Sequence, residues 1–259
     1  MIKISFNQVA LFLFGYHLST FSLMNFSGMI SWFRPEKKKR RFNGKIFCIG
    51  ANKTGTTSLQ TAFSDLGFPV GNQREAEMML RDYIRKDYRG LISYCQTAQV
   101  FQDVPFSWPE VYKMLDKHFP GSKFILSVRD SPEVWFQSLV SFHSRLFGEG
   151  RIPTGQDLRN ADYIWKGWIW ESISSRGLKD PENNPYDPEE RMFIYTKHNE
   201  DVRAYFKDRP QDLLDINLKD PDAWKRFCQF IDVDHQNGGF PWENKTKDIP
   251  IGGWKNSVE

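Results

Sequence analysis

Cysteine is scarce in this chain of 259 residues: there are three, Cys48, Cys95 and Cys228. An odd trio without a C-x-x-C spacing argues against a disulfide framework and against a cysteine zinc site. Histidine is little commoner, with five residues, and no His/Cys cluster has metal-ligand spacing. An excess of one charge sign is missing too, once position is considered. The formal net charge is +3, but the run from Arg34 to Arg41 holds six basic residues against one acid, and residues 42 to 259 carry a net −3. A slightly acidic domain lacks the electrostatic footprint of a nucleic-acid binder. Internal repeats are absent. The 40% hydrophobic and 15% aromatic content excludes a disordered or collagen-like chain and suffices for a sizeable core.

One stretch lacks charge altogether. Val9 to Phe33 contains no Asp, Glu, Lys or Arg, and at about 1.5 Å per residue a helix of this length spans roughly 30 Å of hydrocarbon. Gly15, His17, Asn25 and several hydroxyl residues leave it only moderately apolar, so an interfacial helix or a signal-peptide core stays open beside a transmembrane anchor. The expectation is a retained membrane anchor, with the basic run on the cytoplasmic side or against anionic headgroups; the alternative is a cytoplasmic protein. Residues 1–41 are thus read as a hydrophobic N-terminal helix and basic linker, and 42–259 as one folded domain.

What the chain does contain is a strand, a turn and a helix in Lys45 to Leu66, KIFCIGANKTGTTSLQTAFSDL. Lys45 to Gly50 has the β-branched and aromatic content of a buried strand. Leu59, Ala62, Phe63 and Leu66 recur at helical spacing, and Gly67 ends the helix. Between them, Ala51, Asn52, Lys53, Thr54, Gly55, Thr56 and Thr57 form a loop whose glycine, hydroxyls and helix N-terminus suit a phosphate. An NTPase loop, G-x-x-x-x-G-K-[ST], places its lysine after the second glycine. Here Gly50 and Gly55 keep that spacing, but Thr56 stands in the lysine's place and Lys53 lies inside the loop.

G-x-x-K-T-G-T-T-S-L resembles the 5′-phosphosulfate loop of sulfotransferases that use 3′-phosphoadenosine 5′-phosphosulfate (PAPS), especially the KTGTT form of heparan-type and bacterial members. The resemblance implies an α/β P-loop fold of three layers, a central, mostly parallel sheet flanked by helices. It implies that Lys53 meets the bridging oxygen of the leaving phosphate, and that Asn52, Thr54, Gly55, Thr56, Thr57 and Ser58 help hold the 5′-phosphate. It also implies PAPS as co-substrate, no required metal, and a small-molecule or glycan acceptor.

Further along, Phe68–Gly71 reads as a short strand and Gln73–Tyr88 as a charged structural helix closed by Gly90. Val100–Pro105 reads as a strand ending in Asp103, and a helix runs from about Pro109 to Phe119. Lys123–Arg129 is an almost continuous apolar strand that delivers Arg129 to the sheet edge where open parallel sheets bind ligands. Ser131 or Asp130 caps the next helix, with Pro132 in its first turn. Arg129 and the following helix resemble the family's 3′-phosphate motif, with Ser138 as the matching serine one residue later than the usual count. The match covers Lys45 to Leu146, resumes at the strand Asp212–Ile216 and the helix Pro221–Ile231, and closes on Phe240–Asn244.

Asp103 is the first candidate for the base that takes the acceptor's proton, or else a brace for the loop; His143 is second, and His118 reads as a surface residue. Leu158–Gly177 is expected to form a helix whose Tyr163, Trp165, Trp168 and Trp170 read as core ahead of an acceptor wall. Pro188–Lys207 is expected to form another. Two rival functions stay in view: a nucleotide kinase or NTPase, and a catalytically silent, membrane-tethered nucleotide-binding module.

Overall fold

A computed structural model describes residues 42–234, 238–241 and 250–252. The segment Val9 to Phe33, the basic run ending at Arg41, and Trp242, Glu243 and Asn244 of the closing motif lie outside the described residues. Among the described residues no helix is long and apolar enough to cross a membrane.

Four parallel strands form the sheet, β1 (Ile46–Cys48), β2 (Val100–Phe101), β3 (Lys123–Val128) and β4 (Leu213–Asn217), in the order β2-β1-β3-β4. Alternating side chains divide the core in two, as the twofold period of a strand dictates. Ile46 and Cys48 of β1 and Ile125 of β3 pack with Leu59 and Phe63 of helix α1 (Thr56–Asp65) and Phe227 and Cys228 of α10 (Ala223–Phe230). Phe47, Phe124 and Leu126 face the other way, against Tyr112 and Leu115 of α5 (Val111–His118) and Val202 and Phe206 of α9 (Pro188–Phe206). The result is the expected helix, sheet, helix layering. All three cysteines are buried and unpaired, and burial pushes the Cys48 thiol upward.

Several elements are shorter than their sequence patterns. Phe68–Gly71 makes a single parallel bridge, Val70 to Val100, in place of a strand. The chain 73–88 forms two short helices, α2 (Gln73–Glu77) and α3 (Leu80–Ile84), and Gly90 lies inside a third, α4 (Arg89–Tyr94). Five- and six-residue helices supply few hydrogen bonds of their own, so packing of Ala76, Leu80 and Leu91 into the core holds this region. β2 stops at Phe101 because Asp103 takes a left-handed φ of 59°. Leu158–Gly177 is also two helices, α7 (Gly155–Asn160) and α8 (Trp168–Ser174), separated by a turn that reaches α8 through Gly167 at φ 86°. Helix α6 (Pro132–Phe147) starts as its sequence indicates: the Ser131 side chain accepts from Val134 N, and Pro132 occupies the first turn.

Candidate functional site

The loop after β1 is shaped by two close approaches. Gly50 lies so near β3 that a Cβ there would sit 2.3 Å from Ser127 Oγ and 2.4 Å from its carbonyl oxygen. Gly55, the residue before α1, has φ 104°, and Lys53 is left-handed as well at φ 68°. A lysine in that region stores backbone strain of about 1–3 kcal/mol, maintained only where surrounding contacts fix it. Those contacts are present. The Arg129 Nε donates to Lys53 O at 2.6 Å, and the Trp135 Nε1 donates to Asn52 O at 3.0 Å. Tyr195 of α9 stacks on Trp135 with ring centroids 4.4 Å apart, and its hydroxyl accepts from Arg129 N at 3.0 Å.

A cavity of about 330 Å³ opens at the C-terminal edge of the sheet. Asn52, Lys53, Gly55, Thr56, Thr57, Ser58 and Arg129 border it, together with Asp103 and His143. Two residues expected there are elsewhere. Thr54 is buried, its hydroxyl donating to Ala51 O at 2.5 Å and lying 2.7 Å from Ser127 Oγ, so it braces the loop from behind. Ser138, half-buried on α6, does not border the cavity.

Electrostatics follows from this enclosure. Burial first, then the positive charge of Arg129, pulls Lys53 down to about 8, partly opposed by Asp103. The Lys53 ammonium sits 3.6 Å from the centroid of the Phe142 ring, a cation–π contact. α1 has no acidic residue in its own first turn and no side-chain cap hydrogen bond, so its first N–H groups are not engaged by a capping side chain. Asp103 is raised by burial, while Thr56 Oγ1 donates to its Oδ2 at 3.0 Å and Val104 N to its Oδ1 at 2.9 Å. Oδ2 thus braces the loop, while Oδ1 fixes the carboxylate to its own backbone. His143 is held well below its ordinary value by burial and by the positive charges of Arg191, Arg176 and Lys53; its Nδ1 lies 2.7 Å from Tyr186 Oη. His118 is exposed, as expected of a surface residue.

The region read as structural supplies the most informative side chain. Glu77, at the end of α2, is 6% exposed and borders the same cavity, as does Gln73. Burial and the neighbouring Asp103 push Glu77 up to about 7, against the lowering influence of Arg74 and Tyr163. Tyr163 Oη donates to its Oε1 at 3.1 Å and Arg74 Nη1 to its Oε2 at 3.3 Å. Nothing in a lone Glu within a charged run singles it out. The usable signal was positional: the Val70 bridge to β2 starts α2 at the ligand-binding edge of the sheet.

The aromatic segment divides. Tyr163 and Trp168 border the cavity with Phe142 and Phe147 of α6 and Ile169 and Ile173 of α8. Trp165 and Trp170 do not; Arg81 lies 4.7 Å from the Trp165 ring centroid and Arg159 3.9 Å from that of Trp170. Arg176, just beyond α8, also reaches the cavity, its Nε donating to Ser172 O at 2.9 Å. Among the described residues no group of His, Cys, Asp and Glu could hold a metal ion.

Comparison with protein families matches residues 45–249, about four-fifths of the chain, to a family described as a sulfotransferase domain. Comparison with curated proteins returned no match.

Proposed function

Since the chain belongs to the sulfotransferase domain family, we propose that it moves a sulfuryl group from PAPS to a hydroxyl of a small, largely apolar acceptor. The observation that carries this reading is the pairing, in one cavity, of a partly desolvated Lys53 on an anion-ready loop with a buried Glu77 at about 7. The donor set fits an anionic co-substrate: two cations, an uncapped helix N-terminus and hydroxyls converge where the loop meets the cavity. PAPS would supply the activated sulfuryl group and a phosphate leaving group.

Each residue then has a chemical role. Lys53 neutralises charge that grows on the leaving phosphate, an interaction stronger in the transition state than before it. Arg129 keeps both terminal nitrogens for the 3′-phosphate while its Nε holds the loop. Glu77 takes the acceptor proton, since a base near the working pH combines availability with strength. Asp103 positions Thr56. The cavity lies at the small end of the roughly 300–1,000 Å³ typical of ligand sites and must admit both the reacting end of the donor and the acceptor. Its apolar wall, with Glu77 and Asp103 as its carboxylates, suits a flat alcohol or phenol and disfavours a polyanionic glycan.

The test is transfer of label from radiolabelled PAPS to matched panels of phenols, aliphatic alcohols and glycans, alongside binding of adenosine 3′,5′-bisphosphate. Transfer to hydroxylated aromatics is the expected outcome. Tight nucleotide binding without transfer would leave a silent binding module, and magnesium-dependent ATP turnover would make the chain a kinase or NTPase.

A further inference from the structure

Beside the phosphate loop lies a second cavity of about 40 Å³, sharing Asn52 and Arg176 with the first. Its polar lining is unusual. Arg176 and Arg191 both border it, as do Trp108 and the loop residues Ala51 and Asn52, and its lining includes no Asp or Glu. Arg191 is 3% exposed; its Nε and Nη2 donate to Pro185 O, and it makes no ion pair among the described residues. Arg176 likewise makes none, its Nε being spent on Ser172 O. The indole N–H of Trp108, a residue 1% exposed, has no hydrogen-bond partner among the described residues.

Two guanidinium-bearing residues border this one small cavity beside an orphaned N–H donor, and the charge of Arg176 lowers the protonation of Arg191; the three side chains form a set that only donates. Asp103 acts on Arg176 and Glu190 on Arg191 only through space, with no ion pair among the described residues, and a buried cation so weakly compensated is costly; an unpaired indole N–H adds to that cost. Water would relieve the indole without adding a counter-charge. A cavity needs about 10–15 Å³ to hold one water, so this one has room for a single halide-sized ion.

We propose that this cavity is a binding site for one small monovalent anion, chloride in chemical class, held by Arg176, Arg191 and the Trp108 N–H beside the phosphate loop. The proposal does not rest on the sulfuryl-transfer reading. Because Asn52 and Arg176 border both cavities, occupancy supports the loop.

Thermal unfolding of the full chain in sodium chloride, bromide and gluconate at equal ionic strength tests the proposal. Chloride and bromide at about 100 mM should raise Tm by about 3 °C over gluconate, which is too large for the cavity. Trp108→Phe keeps the ring beside Tyr83 and removes the N–H, so it should reduce the halide shift; Arg191→Met should abolish it. Lys53→Ala, in the donor pocket, should leave the shift intact. Bromide-soaked crystals of the wild-type chain should give an anomalous peak among the three side chains, a readout that does not depend on any variant folding. Equal Tm in all three salts, a halide shift lost with Lys53→Ala but kept in Trp108→Phe, or water alone in the cavity would each overturn the assignment.

Discussion

If Glu77 accepts the acceptor's proton and Lys53 must be charged to meet the leaving phosphate, the reaction is confined between two pKa values set by burial. Glu77 is pushed up to about 7 and Lys53 pulled down to about 8. The active form, Glu77 ionised and Lys53 protonated, then peaks near pH 7.5 and falls roughly sevenfold by pH 6 and by pH 9, a narrow bell in kcat/KM measured against the donor. The free enzyme governs that parameter. In kcat the alkaline limb should move upward, because a bound polyanion beside Lys53 favours its charged form. Glu77→Gln should lower kcat by about 10²–10⁴-fold and flatten the acid limb, leaving the alkaline limb in place. The assay is initial-rate transfer from labelled PAPS across pH 5.5–9.5, in buffers of constant ionic strength. An acid limb that survives intact in Glu77→Gln, or a wild-type profile flat from pH 5.5 to 7, refutes the assignment of the base.

Further expectations concern the same residues. Glu77 binds its proton more tightly folded, at about 7, than at the ordinary 4.5; its contribution is complete below pH 4.5 and lost as pH rises through 7. Glu77→Gln should therefore stabilise the protein by about 2–3 kcal/mol at pH 8 and scarcely at pH 4.5, read from urea unfolding at both values. Lys53→Ala should slow the chemical step in single-turnover experiments by several kcal/mol of barrier, about 3 or more; an undisturbed chemical step would rule out its role at the leaving group. Thr54→Val should cost about 1–2 kcal/mol of stability through its lost bond to Ser127, with little change in calorimetric affinity for adenosine 3′,5′-bisphosphate. Arg129→Ala should lose about 2–4 kcal/mol of affinity for that nucleotide and much less for AMP; equal losses would place Arg129 on the fold or the 5′ side.

The loop and the sheet were legible because their signals are local. A run such as Lys123–Val128 reads as a strand from six consecutive residues, and it is one. The Gly50 to Ser58 loop carries its geometry in its own glycines. Other features depend on contacts far apart in sequence. Gln73–Tyr88 has helical composition throughout, yet splits between Glu77 and Leu80, where Met79 packs against the aromatic core. Thr54 and Thr56 look alike in the motif, but one hydroxyl faces Ser127 across the sheet and the other Asp103 beside the cavity. Glu77 acquires its character only from burial next to Asp103, a neighbour 26 positions away. Ser138 shows how sensitive such a count is, since a one-residue change of spacing on a helix rotates a side chain by about 100°, and here it lies outside the lining of the main cavity.

If Arg129 reads the donor and Lys53 serves the leaving group, the bond from Arg129 Nε to the carbonyl of Lys53 would make recognition and chemistry mechanically inseparable. The guanidinium that would grip one end of the nucleotide also clamps the strained residue whose ammonium serves the other end. On that reading a donor lacking the 3′-phosphate would lose more than a contact: it would leave Arg129 less firmly anchored, and Lys53 with it, so discrimination would extend from binding into turnover. Energies measured separately for the two residues should fail to add, and the shortfall in a double-mutant cycle measures how much alignment one hydrogen bond transmits.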